Sequence, residues 1–418
     1  MTPATPPTRV IPATTPSPGL EAPALARAPG AVGLTLDPVS TGEFLGEHCE
    51  RRPLVVARAE AGRFDSVLSE EDLERLICES AIRTPAFRLV KDGAQLAPST
   101  YTTDIPWRPG SFSGTVLVDR VAEEHAAGAT IVLQALHLHW HPAAVYCRGL
   151  EASLGWPVQA NAYRTPASSR GFGVHHDTHD VFVLQVSGHK RWRVYEPVMQ
   201  LPLKSQRWSP GRDAEHIGEP VHDITLQAGD TLYLPRGWPH EATAADDDSL
   251  HITVGLHPPS RIDALRAALS ECADDVEFRR SLAADGELPA ELLERLAARL
   301  GRDEVARRAR RRFVDGRRPI LDGQLSQLRA LERLTLQSPL QRRPTVIAEL
   351  EHSDEFVTLR FEGKQLRFPP QAAEAVAAIH AADRPFTPAE LPGPLDAAGR
   401  LVLVKRLVRE GFLRQPKL

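Results

Sequence analysis

Through the middle of the chain, apolar and polar residues alternate with period two. Near its end they repeat with the longer period of a helix. Lys190, Trp192 and Val194 fall on one face of a strand, and Arg191 and Arg193 on the other. Residues 158–163 read as another strand, with Asn161 and Tyr163 sharing a face. Residues 129–134 are a continuous apolar strand following Gly128, and 231–234 a short one that Pro235-Arg236-Gly237 breaks. Upstream, residues 38–49 predict a helix anchored by Phe44 and Leu45, and 52–56 a strand entered through a proline. Ser69 ahead of Glu70, Glu71 and Asp72 is a helix start whose buried face is Leu73, Leu76 and Ile77. Residues 87–91 predict a strand running into an Asp92-Gly93 turn, and 143–154 a helix presenting Val145, Leu150 and Leu154 to the core. From about residue 260 the period lengthens: Ile262, Leu265 and Leu269 fit one helix face, Leu292, Leu293, Leu296 and Leu300 a second, and Leu325, Leu328 and Leu331 a third. Residues 356–368 then predict a hairpin turning at Glu362-Gly363-Lys364, followed by helical stretches at 371–381 and 398–410.

Length and composition set the boundaries. A chain of 418 residues predicts two or three domains. Residues 1–30 are rich in Pro, Thr and Ala and predict a disordered tail; 31–258 hold the strands, 259–340 the helical segment and 341–418 a small β/α module. A net charge of −4 argues against a general nucleic-acid binder. Cys49, Cys78, Cys147 and Cys272 are scattered without a paired spacing, which predicts a reducing, cytoplasmic setting. No apolar run is long enough for a membrane helix.

The candidate chemistry lies in residues 171–195, read as a two-strand hairpin. His175 and Asp177 are spaced to share a face, which supplies two thirds of a 2-His-1-carboxylate triad, the set that holds Fe(II) and leaves positions open. The third ligand is expected at His240, placed after the rigid Pro235-Arg236-Gly237 turn. A structural zinc site fits less well, since it takes four ligands, often cysteines, and no cysteine is near. His176 and His179 are expected beside the ligands or at the surface, and His251, in an apolar run, as a satisfied core histidine. His137, His139 and His141 are expected in a loop leading into a helix. A lysine on the apolar face of its strand is unusual, so Lys190 predicts a buried anionic partner. The run 307–312, with five arginines, reads as a solvated helix face, with contact to RNA or an acidic partner, or a localisation signal, as the alternatives.

Asn161-Ala162-Tyr163-Arg164-Thr165-Pro166, Gly171-Phe172, His175-x-Asp177, Asp180-x-Phe182-x-Leu184-Gln185, Gly188-x-Lys190-x-Trp192 and the later Gly229-Asp230-x-Leu232-Tyr233-x-Pro235-Arg236-Gly237-x-x-His240 together resemble the JmjC-type ribosomal oxygenases, cupin-like Fe(II)- and 2-oxoglutarate-dependent protein hydroxylases. The resemblance implies an α+β fold: a double-stranded β-helix (a cupin-like jelly roll), a helical dimerisation segment and a winged-helix-like C-terminal domain. It implies His175, Asp177 and His240 as catalytic metal ligands for Fe(II), 2-oxoglutarate as cosubstrate on Lys190 and Tyr163 with Asn161 lining the same pocket, and O₂ as oxidant. It further implies a homodimer acting on a side-chain carbon of a ribosomal protein, histidine or arginine. The same chemistry on another protein or a biosynthetic peptide, N-methyl-lysine demethylation, and a non-catalytic cupin-like binding module are the alternatives.

Overall fold

Alternation along the strands gives the first part of the chain two working faces. The computed structural model describes residues 9–12, 30–282, 284 and 286–416, and the chain divides after Pro258 into two units. In the first, β1 (Arg9–Pro12), β2 (Leu54–Ala57), β3 (Phe87–Lys91), β4 (Ala94–Gln95), β7 (Thr130–Leu133), β8 (Val158–Thr165), β9 (Asp180–Ser187), β12 (Thr231–Leu234) and β14 (Ser249–Leu256) form one sheet in the order β1-β2-β12-β9-β14-β8-β7-β3-β4. A second sheet, β11-β10-β13, is made by β10 (Lys190–Val194), β11 (His222–Leu226) and β13 (His240–Ala244). The hairpin β5 (Thr102–Trp107) and β6 (Gly110–Val116) stands apart.

Ala160, Ala162, Phe182, Leu184, Leu250, Ile252 and Val254 turn to one side of the large sheet and pack with residues of the helices Glu70–Cys78 and His141–Leu154. The residues between them turn the other way. Val181, Val183, Leu232 and Leu234 meet Trp192, Val194 and Leu226 of the small sheet and close an apolar layer between the two sheets. Such a two-sheet arrangement, its strands crossing from one sheet to the other, is the cupin-like fold expected.

Several local expectations change. Residues 171–195 are not a hairpin: β9 pairs with β12 and β14, β10 with β11 and β13, so the turn between them is an arch from one sheet to the other. Gly188 makes the arch with φ of 63°, and a side chain there would strike the carbonyl of Asp248. His175 and Asp177 precede β9 rather than lying in it. The predicted helix 38–49 is a short turn, Thr41–Glu43, running into a wider one, Phe44–His48; Phe44 is fully buried but Leu45 is exposed. The helix His141–Leu154 buries Ala143, Tyr146, Cys147 and Leu150 and leaves Val145 outside, because the buried stripe runs one position away from the one predicted. Most of the predicted disordered tail lies outside the described residues, but Arg9–Pro12 pair parallel with β2, whose edge offers a row of backbone partners to the β-branched Val10 and Ile11.

The second unit takes in both the helical segment and the C-terminal β/α module. Its core gathers Leu359 and Phe361 of a three-stranded sheet (Ala348–His352, Val357–Phe361, Lys364–Phe368) with Val376, Ile379, Leu407 and Phe412. The hairpin turns at Glu362 and Gly363, both with positive φ, as the Glu-Gly-Lys sequence predicts. The arginine run lies on the helix Arg302–Asp315, which is more engaged than a solvated face: Arg310 pairs with Glu349 at 3.2 Å, Arg311 with Glu351 at 2.8 Å, Arg308 with Glu271 at 2.8 Å, and Val314 is fully buried.

Candidate metal centre

Two loops meet between the sheets. One carries His175 and Asp177 into β9; the other, Pro235–Pro239, carries the chain into β13 at His240. They join as a single antiparallel bridge: the His175 N–H donates to the His240 carbonyl at 3.1 Å, and the His240 N–H to the His175 carbonyl at 2.8 Å. A third tie runs from the Gly237 N–H to the Asp177 carbonyl at 3.0 Å. Asp180 adds a clip from its side chain. Its fully buried carboxylate accepts from the Tyr233 hydroxyl at 2.7 Å and from the Arg236 backbone N–H at 3.0 Å. The first of the two loops is thereby held against the strand and turn that lead to His240.

The bridge brings the rings of His175 and His240 to a centroid separation of 4.7 Å, and a ligand atom from each of His175, Asp177 and His240 lies within 4.8 Å of the other two. Backbone carbonyls set the tautomers. His175 donates from Nδ1 to the Gly173 carbonyl at 2.8 Å, and His240 from Nδ1 to the Trp238 carbonyl at 2.9 Å. In each ring Nε2 therefore carries the free lone pair, as a metal-binding histidine requires. Burial, followed by the nearby His175, pushes His240 down to about 4, so its imidazole is neutral and able to ligate. Burial works to raise the Asp177 carboxyl, but His179, His175 and His240 outweigh it and hold it below the ordinary carboxylate range. Among the described residues this is the one cluster of three metal-ligating side chains; His137, His139 and His141 form none, and Nδ1 of His137 instead accepts the Ala160 N–H.

The triad borders a cavity of about 320 Å³ that Asn161, Tyr163, Lys190, Trp192, His251 and Thr253 also line. Lys190 is 3% exposed, and its ammonium donates to the Thr165 hydroxyl at 2.8 Å; among the described residues no ion pair reaches it. Burial pulls it down to about 7. Burial, then Asp177, pushes the Tyr163 hydroxyl up to about 12, so it remains a donor. Asn161 lines the cavity but also spends its side-chain oxygen on the Ala135 N–H at 2.9 Å, which ties β8 to the end of β7.

His251 is not the satisfied core histidine expected. It is opposite Tyr163 in the register of β8 and β14, stacks on it at 4.9 Å with 6° between planes, and leaves Nδ1 buried without a partner. Alternation in its own strand was the available signal: Leu250 and Ile252 enter the helix-side core, so His251 must face the other way. His176 packs on Trp208 and donates to the Gln206 carbonyl at 3.3 Å, while His179 lines the cavity against His257.

Residues 137–264 match the JmjC domain. The chain is 28% identical over 268 residues to ribosomal oxygenase 1 of Danio rerio, which is 60% of this chain and 46% of the relative. It is 29% identical over 260 residues to the bifunctional lysine-specific demethylase and histidyl-hydroxylase NO66 of Drosophila persimilis, 62% of this chain and 36% of the relative. The chain thus spans less than half the length of these curated relatives. Among solved structures, YcfD, a ribosomal oxygenase from Escherichia coli in complex with cobalt and 2-oxoglutarate, aligns over 92% of this chain and all of its own with a TM-score of 0.56 at 20% identity, a likeness of fold. Residues 137–264 thus carry a match to the JmjC domain, and the chain is similar over about 60% of its length to ribosomal oxygenases.

Proposed function

We propose that this protein is an Fe(II)- and 2-oxoglutarate-dependent oxygenase that hydroxylates a side-chain carbon of a protein substrate, a histidine or arginine of a ribosomal protein. One observation carries the reading. Two imidazoles with Nε2 free and one carboxylate converge at a cavity that is also lined by a buried lysine bonded to the Thr165 hydroxyl and, among the described residues, to no carboxylate. The donor set fits Fe(II), and the lysine fits the distal carboxylate of a 2-oxo diacid. Bound there, iron and 2-oxoglutarate would supply the oxidising chemistry, consuming O₂ and releasing succinate and CO₂.

The chain's own residues do the rest. His175, Asp177 and His240 would hold the metal at the wall of the cavity. Lys190, with Thr165 behind it, fixes the far end of the cosubstrate, and the Tyr163 hydroxyl donates to it from the large sheet. Asn161 lines the same pocket beside Tyr163. Val181, Val183 and Trp192 give the cavity an apolar wall that disfavours water.

The dimerisation, winged-helix and compartment readings belong to the same proposal. Leu265 and Leu269 leave an apolar stripe on the helix Arg261–Glu271 open, which supports a homodimer formed through residues 259–340. The sheet and helices of 341–418 support a winged-helix-like domain, and the pairing of the arginine run with Glu349, Glu351 and Glu271 favours a protein partner over nucleic acid. Four free cysteines support a reducing cytoplasm; no described helix is long and apolar enough to cross a membrane. The substrate is tested by comparing ribosomal proteins from a deletion strain and its parent by mass spectrometry. One histidine- or arginine-containing peptide lacking a single oxygen atom in the deletion strain is expected; identical peptide masses throughout would remove the ribosomal assignment.

A further inference from the structure

The cavity holds a second cation that the proposed chemistry does not use. Arg88 lies on β3 and lines the same cavity as Lys190. Register places it opposite Val132, which is opposite Tyr163, so the three stand in one row on the cavity face of the sheet. Arg88 is therefore two strands from Tyr163, roughly 10 Å at ordinary strand spacing. The Thr165 hydroxyl that receives Lys190 is two residues farther along β8. The two cations consequently serve different parts of the cavity.

Among the described residues, no hydrogen bond or ion pair reaches the Arg88 guanidinium, and its Nε–H is shielded from solvent without an acceptor. The group is nevertheless held in place. It lies over the ring of Phe172 at 5.3 Å, and Phe172 packs at 5.9 Å on the metal-site histidine His175 and at 6.1 Å on Tyr163. The carboxylates that border the cavity are committed elsewhere. Asp177 belongs to the triad, and Glu241 accepts from the Tyr195 hydroxyl at 2.8 Å with Arg193 and Arg170 each at 3.7 Å. A guanidinium fork that is oriented, partly desolvated and unpaired is suited to a planar carboxylate.

We propose that Arg88 is a second carboxylate site of this cavity, filled alongside the cosubstrate by an acidic side chain of the protein substrate that flanks the residue to be oxidised. The inference rests on the oxygenase reading. Arg88 would then select sequence around the target while Lys190 selects the cosubstrate.

The test uses the full chain with ¹⁵N-labelled arginine, loaded with Zn(II) and 2-oxoglutarate, and acetate as the probe. The Nε–H signal of Arg88 is identified by its loss in Arg88→Gln and in Arg88→Met, the second of which keeps an unbranched stem over Phe172. The other arginine signals report that both variants are folded. Acetate is expected to shift the Arg88 signal saturably with 2-oxoglutarate bound. Either substitution should leave 2-oxoglutarate affinity within about twofold, whereas Lys190→Ala should weaken it about tenfold or more, the scale of one charge-assisted contact. A shift caused by 2-oxoglutarate itself, with tenfold weaker cosubstrate binding in the Arg88 variants, would make Arg88 a cosubstrate anchor and overturn the proposal. So would an Arg88 signal that acetate fails to saturate. If the wild-type protein binds no 2-oxoglutarate, the oxygenase reading fails on its own, and acetate titration of the Zn(II)-loaded protein still decides the Arg88 site.

Discussion

Lys190 is the residue whose state depends most on what fills the cavity. Burial depresses it to about 7 against 10.5 for a free lysine. The sign follows directly. Between those values the unfolded chain binds the proton more tightly, so the ligand-free protein gains stability as pH rises from about 7 towards 10.5, and the full penalty is present below 7. Binding of an acidic cosubstrate runs the other way, because the carboxylate requires the ammonium. Above about pH 7, 2-oxoglutarate should bind with proton uptake and weaken as pH rises. Calorimetry at pH 8 in buffers of different ionisation enthalpy measures the uptake, which should vanish in Lys190→Ala. Lys190 was legible in the sequence because alternation alone put a charge on an apolar face. Arg88 was not: its place beside Tyr163 is set by register across β3, β7 and β8, which no local pattern encodes.

At the scale of elements, the site depends on two loops being held together rather than on one rigid strand. The sequence showed the His-x-Asp spacing and the turn before His240 but implied a hairpin where the chain makes an arch between sheets. A Ser-Gly-His turn is compatible with both, and the choice is made by distant partners, β12 and β14 on one side and β11 and β13 on the other. Asp180 makes the clip between the loops legible only in three dimensions. Replacing it by alanine removes the acceptor of both the Tyr233 hydroxyl and the Arg236 N–H. Co(II) affinity should fall by about tenfold or more, the usual cost of losing a group that orients metal ligands. The visible spectrum of the bound Co(II) should change with it. Unaltered affinity and spectrum would mean that the bridge between His175 and His240 suffices.

For the whole molecule, the apolar stripe on the helix Arg261–Glu271 makes assembly the testable property. Leu265 is 40% and Leu269 48% exposed, although the helical period predicted a buried face. Periodicity reports that a face is apolar, not whether its cover comes from the same chain. The double substitution Leu265→Glu, Leu269→Glu should turn a dimer into a monomer in light scattering with little loss of helix; a wild-type monomer would refute the dimer. The central claim is the oxygenase itself. Its most direct measurement is anaerobic binding of Fe(II) and 2-oxoglutarate followed by succinate release when O₂ is admitted, for wild type and His175→Ala. Metal-dependent binding and slow succinate formation in the wild type, with both lost in the variant, are predicted. A folded, pure wild-type protein that binds no cosubstrate in the presence of the metal would contradict the account and leave a cupin-like scaffold without this chemistry.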